Sequence, residues 1–303
     1  MIVLRCDRPL DASVFKKIAL FCNVSEDCVI ENLTVPQLYE APIMLERNHF
    51  SDIVCRQLHL TAPPCDLREW NSMLEKVANS RKRIVIGLVG KYVQLHDAYL
   101  SVAEALRHGG YANDCSVSIE WIDSETLNED NVDERLKSCD GILVPGGFGE
   151  RGIEGMIAAA AHCRQKKKPY LGICLGMQVL FEKGYEVEES EGLGLLQGEV
   201  VRMQDPDVKI PHIGWNRLEH AQADAIVRAE EQPFVYYVHS FYAQKFLPQD
   251  LIAYSVYGQM KIPGYVRHGN VLGMQYHPEK SGRDGLRMLA RFVALCEGKE
   301  ATR

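Results

Sequence analysis

Hydrophobic positions change their spacing twice along the chain, and the changes divide it into three stretches. Through residue 60 the apolar residues recur at roughly helical spacing, at 14–21 and again at 43–60, which predicts a mostly helical segment. The run TAPPCD at 61–66 breaks that pattern. Asp66 is placed to cap an amphipathic helix at 67–77, and the polar, basic NSRKR at 79–83 follows, so residues 61–82 read as a link. Beyond Arg83 the texture becomes β-branched. Residues 84–89 (IVIGLV) have the composition of a parallel strand buried on both faces. A helix is predicted at 99–108, strands at 117–122 (VSIEWI) and 141–144 (GILV), an Ala-rich helix at 153–163, and a strand at 169–173 (PYLGI) that runs directly into Cys174. Strand-like pieces follow at 198–201, 234–238, 252–256, 265–267 and 271–275, and a helix at 285–296 closes the pattern. Strands alternating with helices predict an α/β domain over 83–303, with an open, mostly parallel sheet flanked by helices. Residues 1–60 are expected to form a small helical N-terminal appendage.

Composition narrows the classes of function. The 303 residues are 46% hydrophobic and 25% charged, with a formal net charge of −7. An acidic balance argues against nucleic acid or an anionic membrane surface as partner. No apolar run approaches the length of a bilayer span, and Arg5 and Asp7 interrupt the N-terminus too early for a targeting core, so the chain reads as cytoplasmic. The ten cysteines are scattered, with no CxxC pair, so neither a zinc site nor a disulfide framework is expected.

One cysteine stands apart. Cys174 lies in Gly172-Ile173-Cys174-Leu175-Gly176, a G-x-C-x-G at the end of a predicted strand. Glycines on both sides allow the sharp turn that exposes a nucleophile, and a helix beginning there favours thiolate at its N-terminus. The N–H of Leu175 then points where an oxyanion would develop. About 100 residues on, Tyr276-His277-Pro278-Glu279 offers a base and a carboxylate two residues away to orient it. Pro145-Gly146-Gly147-Phe148-Gly149 follows the strand at 141–144, where a glycine loop belongs to the ligand crevice of an open α/β sheet. No Lys-Ser/Thr follows it, which rejects a Walker-type phosphate loop.

Together these elements resemble the class I glutamine amidotransferases over about residues 83–296. The resemblance implies hydrolysis of glutamine to glutamate and ammonia, with Cys174 as nucleophile forming a thioester, His277 as proton shuttle and Glu279 as its orienter. It further implies Gly147 and Leu175 as oxyanion donors, and Phe148 and Gln178 as glutamine contacts.

Within that family the two halves of the chain resemble different members. Residues 1–178 are similar to CTP synthase, a pyrimidine-pathway ligase, through RCDRPL at 5–10, KIALFCNV at 17–24, IGLVGKY at 86–92, DAYLSVAEALRH at 97–108 and GILVPGGFGERGIEG at 141–155. On that likeness 1–60 is a remnant of a synthetase domain, 61–82 the linker and 83–303 the amidotransferase domain. The chain itself then needs no cofactor, since ATP and Mg would belong to the missing synthetase part. Residues 172–296 are similar to the glutaminase subunit of imidazole glycerol phosphate synthase, of histidine biosynthesis. The matching segments are GICLGMQVLFEK at 172–183, GLGLLQGEVV at 192–201, IPHIGWNRL at 210–218, YVHSFY at 237–242 and GNVLGMQYHPEKS at 269–281. This second likeness implies Glu186 and Ser240 as further glutamine contacts, and Trp215, Asn216 and Lys280 near the face that meets a cyclase barrel. The two likenesses meet at 172–178, so the chain reads as a hybrid. The expected function is a glutaminase passing ammonia to a CTP synthase-type synthetase domain. The alternatives are a cyclase subunit receiving the ammonia, or a catalytically silent truncated or chimeric module.

Overall fold

The computed structural model describes residues 1–299 except 81, 148, 150 and 187. It divides into two compact units, Met1–Asn79 and Ser80–Arg303.

The first unit contains β1 (Ile2–Cys6), α1 (Ala12–Cys22), β2 (Val29–Leu33), α2 (Ala41–Arg47), α3 (Phe50–Gln57) and α4 (Arg68–Asn79). β1 and β2 pair in parallel, a strand pair that helical periodicity alone did not predict. The apolar run at 43–60 is two helices rather than one, because His49 sits at φ 56, a left-handed conformation that ends the first and starts the second. Cys28, Ile30 and Ile53 form the small core. Most of the expected link at 61–82 is α4, held to the unit by the Trp70 indole N–H donating to the Tyr39 carbonyl at 2.7 Å.

The second unit begins β3 (Lys82–Gly90), α5 (Leu100–Ala112), β4 (Cys115–Asp123), α6 (Val132–Leu136), β5 (Gly141–Val144), α7 (Ile153–Lys166) and β6 (Tyr170–Ile173). It continues with α8 (Leu175–Gln178), β7 (Phe181–Gly184), β8 (Ser190–Glu191), β9 (Leu196–Arg202), β10 (His212–Arg217), β11 (Glu219–His220), β12 (Phe234–His239) and β13 (Phe241–Gln244). β14 (Leu251–Tyr257), β15 (Met260–His268), β16 (Val271–Met274) and α9 (Gly282–Cys296) complete it. An eight-stranded sheet runs in the order β11-β14-β15-β16-β6-β5-β3-β4. From β16 to β4 neighbouring strands are parallel, and the other three pairings are antiparallel.

Alternation along β3 explains the layers. Ile84, Ile86 and Leu88 enter the core shared with Leu106 of α5 and Leu289 and Phe292 of α9. Val89, one step out of phase, enters the opposite core with Met156, Ala159 and Ala160 of α7. The sheet therefore carries helices on both faces, as the run of β-branched residues predicts. A smaller sheet, β13-β9-β7-β8, and the antiparallel ribbon β10-β12 flank it. No helix among the described residues is long and apolar enough to cross a membrane.

Candidate functional site

The nucleophile elbow forms because two glycines let backbone meet backbone. A Cβ on Gly172 would lie 2.0 Å from the Gly176 carbonyl oxygen, and one on Gly176 would lie 2.2 Å from the Val144 carbonyl oxygen. Cys174 between them adopts φ 51, ψ −105, a strained conformation for a non-glycine residue. The helix that follows is one turn, α8. The expected benefit of a helix N-terminus at the sulfur thus comes from the first N–H groups of that turn, which have no intrahelical acceptor.

Strand register brings the partners in. β6 and β16 run side by side in parallel with Ile173 opposite Met274, and the Cys174 N–H continues the ladder to the Met274 carbonyl at 2.7 Å. The segments leaving both strands therefore emerge next to each other, and His277 arrives beside Cys174. Its loop is pinned: the His277 N–H donates to the Tyr236 carbonyl at 2.9 Å, and the Ser281 hydroxyl donates to the His277 carbonyl at 2.7 Å while accepting the Tyr236 N–H at 3.0 Å.

His277 Nδ1 lies 2.8 Å from Glu279 Oε1, with side chains 14% and 3% exposed. The other oxygen, Oε2, is buried with no hydrogen-bond partner among the described residues, so the carboxylate acts on the imidazole alone. Burial works to lower the His277 pKa. Hydrogen bonding to the Cys174 sulfur and to Glu279, with their charges, outweighs it and raises the pKa to about 10. The imidazole is held as a cation facing the sulfur. Gly146 completes the contact: a Cβ there would sit 3.1 Å from His277 Cε1 and 3.4 Å from Cys174 Cβ, so a side chain would wedge the pair apart. Gly146 and Gly147 line the Cys174 cavity, of about 340 Å³, together with Tyr92, Tyr99, Val238, His277, Glu279 and Lys280. Leu175 begins α8 immediately after the nucleophile.

The expected glutamine contacts are placed less uniformly. Gln178 and Glu186 line one cavity of about 50 Å³ with Leu175, Lys183 and Ser190, which shares no lining residue with the Cys174 cavity. The Gln178 amide nitrogen is engaged by the scaffold, donating to the Phe241 carbonyl at 3.1 Å and to Gln275 Oε1 at 3.0 Å. Ser240 lies in the turn between β12 and β13, its carbonyl accepting the Met203 N–H at 2.8 Å. Phe148 falls outside the described residues. Of the residues tied to a cyclase face, Lys280 lines the Cys174 cavity, Trp215 is exposed on β10, and the Asn216 amide donates to the Val256 carbonyl at 2.9 Å.

Two features beside the sulfur were not anticipated. Gln275, fully buried, donates from Nε2 to Cys174 Sγ at 3.6 Å. Behind it, His239 Nδ1 donates to the Phe241 carbonyl at 2.8 Å, and His212 Nδ1 lies 3.0 Å from His239 Nε2. Burial lowers the pKa of His212 to about 4 and that of His239 to about 3, so both rings are neutral. Gln275 sits within the segment at 269–281 that carries the second resemblance, but nothing in its local spacing links it to a cysteine about 100 residues away. No group of three or more His, Cys, Asp or Glu suited to a metal occurs among the described residues.

With this geometry in hand, known proteins give a consistent picture. The family model for "Glutamine amidotransferase class-I" matches residues 94–296, and that for "CTP synthase N-terminus" matches residues 1–60. CTP synthase of Clostridium kluyveri is 51% identical over 193 residues, covering 63% of this chain and 36% of that protein. CTP synthase of Clostridium beijerinckii is 53% identical over 178 residues, covering 59% and 33%. The chain thus spans about a third of the length of these curated relatives. Among solved structures, the glutaminase domain of Trypanosoma brucei CTPS with bound acivicin superposes with a TM-score of 0.56 at 23% identity, covering 72% of this chain and 95% of that one. A putative GMP synthase component from Thermoplasma acidophilum gives 0.50 at 17% identity, covering 71% and 94%. At such identities the likeness establishes the fold.

Proposed function

Because the chain belongs to the class I glutamine amidotransferase family, we propose that it hydrolyses glutamine at Cys174 and passes the ammonia to a CTP synthase-type synthetase site. The observation that carries the assignment of Cys174 is the triad geometry, with the sulfur on its elbow facing an imidazole kept cationic by the Cys174 sulfur and by Glu279, the latter at 2.8 Å.

The steps follow from these groups. The Cys174 thiolate attacks the side-chain amide carbon of glutamine. The S–C bond forms while the carbonyl electrons move onto oxygen, where the N–H groups of Gly147 and Leu175 receive the charge. As the carbonyl re-forms, His277 gives its proton to the amide nitrogen and ammonia leaves. His277, now neutral, takes a proton from water attacking the thioester. Glutamate departs, and the thiolate and imidazolium are restored. Glu279 keeps the imidazole oriented throughout, and Gln178, Glu186, Ser240 and Phe148 are the proposed contacts to the rest of glutamine.

The acceptor is proposed from the curated relatives named CTP synthase and from the synthetase-type match over residues 1–60. The test is glutamate release by the full chain, with and without a CTP synthase synthetase domain. The expected results are a measurable rate, loss of that rate in Cys174→Ala, and stimulation by the synthetase domain. Stimulation by a cyclase barrel instead would assign the acceptor to the second resemblance. The absence of both thioester and turnover under every condition would identify a silent module.

A further inference from the structure

Gln275 follows β16 and is fully buried, yet it is a polar side chain at the one place where the sheet opens onto the nucleophile. Burying an amide is costly unless both of its ends are satisfied, and here each end has an assigned partner. The chain of donors runs one way. The Phe241 carbonyl can only accept, so Gln178 presents its NH₂ there, at 3.1 Å. That same NH₂ lies 3.0 Å from the Gln275 side chain, which must therefore turn its oxygen toward Gln178. The remaining end, the Gln275 NH₂, faces Cys174 Sγ at 3.6 Å. A flipped Gln275 would set two NH₂ groups against each other and an oxygen against the sulfur. His239 fixes the far end, since its Nδ1–H also donates to the Phe241 carbonyl and leaves Nε2 to accept from His212. The Gln275 backbone N–H donates to the Gly264 carbonyl at 2.9 Å, which removes freedom at the root of the side chain.

We propose that Gln275 stabilises and aims the Cys174 thiolate, with its side-chain N–H as a fixed donor to the sulfur on the side away from the entering amide. This rests on the reading of Cys174 as the glutaminase nucleophile. A thiolate accepts such a bond much more strongly than a thiol does, so the contact favours the charged form and restricts the direction of attack. It acts alongside the other groups that face the sulfur. These are the Val238 carbonyl, 4.0 Å from Sγ, and, lining the same cavity, His277 with Glu279 behind it, Lys280, Tyr92 and Tyr99, with the Lys91 alkyl chain beside Gly147. His239 stands behind Phe241 as a neutral ring and contributes no charge. His277 supplies the charge, and Gln275 supplies a neutral donor of fixed direction, because Gln178, itself tied to the Phe241 carbonyl, holds the amide oxygen.

The test reads the sulfur directly. Iodoacetamide reacts with the thiolate, so the pH dependence of alkylation at Cys174, followed by peptide mass spectrometry in the full chain, reports the thiol midpoint. In Gln275→Leu the midpoint is expected to move up by about one unit, with glutaminase kcat/KM falling about tenfold or more. Gln275→Glu keeps the side-chain shape but removes the amide donor, and is expected to move the midpoint at least as far. It carries the comparison if the leucine variant fails to fold, as judged by near-UV circular dichroism. A folded variant with an unchanged midpoint and only a lower melting temperature would overturn the proposal and leave Gln275 as a core filler. The glutaminase reading fails separately. Wild-type chain that releases no glutamate and traps no thioester, yet shows the midpoint shift in the variants, would sink the proposed reaction while keeping Gln275 as the partner of the sulfur.

Discussion

Burial alone would take the proton off His277, and the Glu279 carboxylate and Cys174 sulfur keep it on. Replacing Glu279 by Gln removes one of those two supports while preserving the shape. The His277 pKa then falls, and with it the pH at which the general acid is lost. The alkaline limb of the kcat/KM profile is expected to move to lower pH, with kcat reduced on the order of a hundredfold. A profile that keeps its alkaline limb would show that Glu279 is not the group that holds the imidazolium. Gly146→Ala tests the fit of the pair instead. Its Cβ would meet His277 Cε1 at 3.1 Å, so the chain should fold with a near-normal melting temperature but lose roughly ten- to a hundredfold in glutaminase rate by displacing the imidazole. Cys174, His277 and Glu279 were legible in the sequence because their chemistry is set by short local spacings, G-x-C-x-G and H-x-E. Gln275 was not, and Gly146 was read only as part of the crevice's glycine loop, because what each touches is decided by which strands lie side by side, and residue order does not state that.

The element that aligns the site is the parallel pair β6-β16, which delivers Cys174 and His277 from the same end of the sheet. The short buried strands feeding it were readable from β-branched runs, since a strand covered on both faces has no polar alternation to blur it. The ribbon β10-β12 was only half read, through the apolar run at 234–238. Its partner strand alternates buried His212 with exposed Ile213 and Trp215, and a buried histidine does not register as a core position in a hydrophobicity pattern. Yet this ribbon supplies the clamp on the catalytic loop through Tyr236. Ser281→Ala leaves the Tyr236 N–H without its acceptor and leaves the His277 carbonyl with the Lys280 N–H alone, at 3.0 Å. It is expected to cost about 1–3 kcal/mol in urea unfolding, with a fall in kcat because the loop that carries His277 loosens. A variant as stable and as active as the parent would show that the Tyr236 to His277 backbone bond suffices without the hydroxyl.

At the scale of the whole molecule, opposite titrations set where the fold is most stable. His212 and His239 have depressed pKa values, about 4 and about 3, against about 6.5 unfolded. Their stabilising contribution is complete above pH 6.5 and is lost as pH falls through that window, because the unfolded chain binds protons that the folded one refuses. The loss is on the order of a few kcal/mol, and His212→Phe should flatten the acid side of the melting curve. His277 works the other way, its contribution being present below pH 6.5 and lost as pH rises through about 10. Melting temperatures should therefore peak close to neutral pH, just above the unfolded histidine midpoint of about 6.5, and fall on both sides of it. All three histidines lie in Ser80–Arg303, as do both large cores and each residue of the proposed triad. The first unit closes a far smaller core, around Cys28, Ile30 and Ile53, and exposes Leu20 and Phe21. A chain starting at Ser80 is accordingly expected to melt cooperatively and to retain alkylation of Cys174 with an unshifted pH midpoint. Residues 1–79 alone should show no cooperative thermal transition, since so few buried side chains cannot offset the entropy of ordering the chain. If instead the chain from Ser80 loses its transition or its reactive sulfur, the separate cores do not make separate folding units, and the synthetase-like segment is part of what builds the glutaminase site.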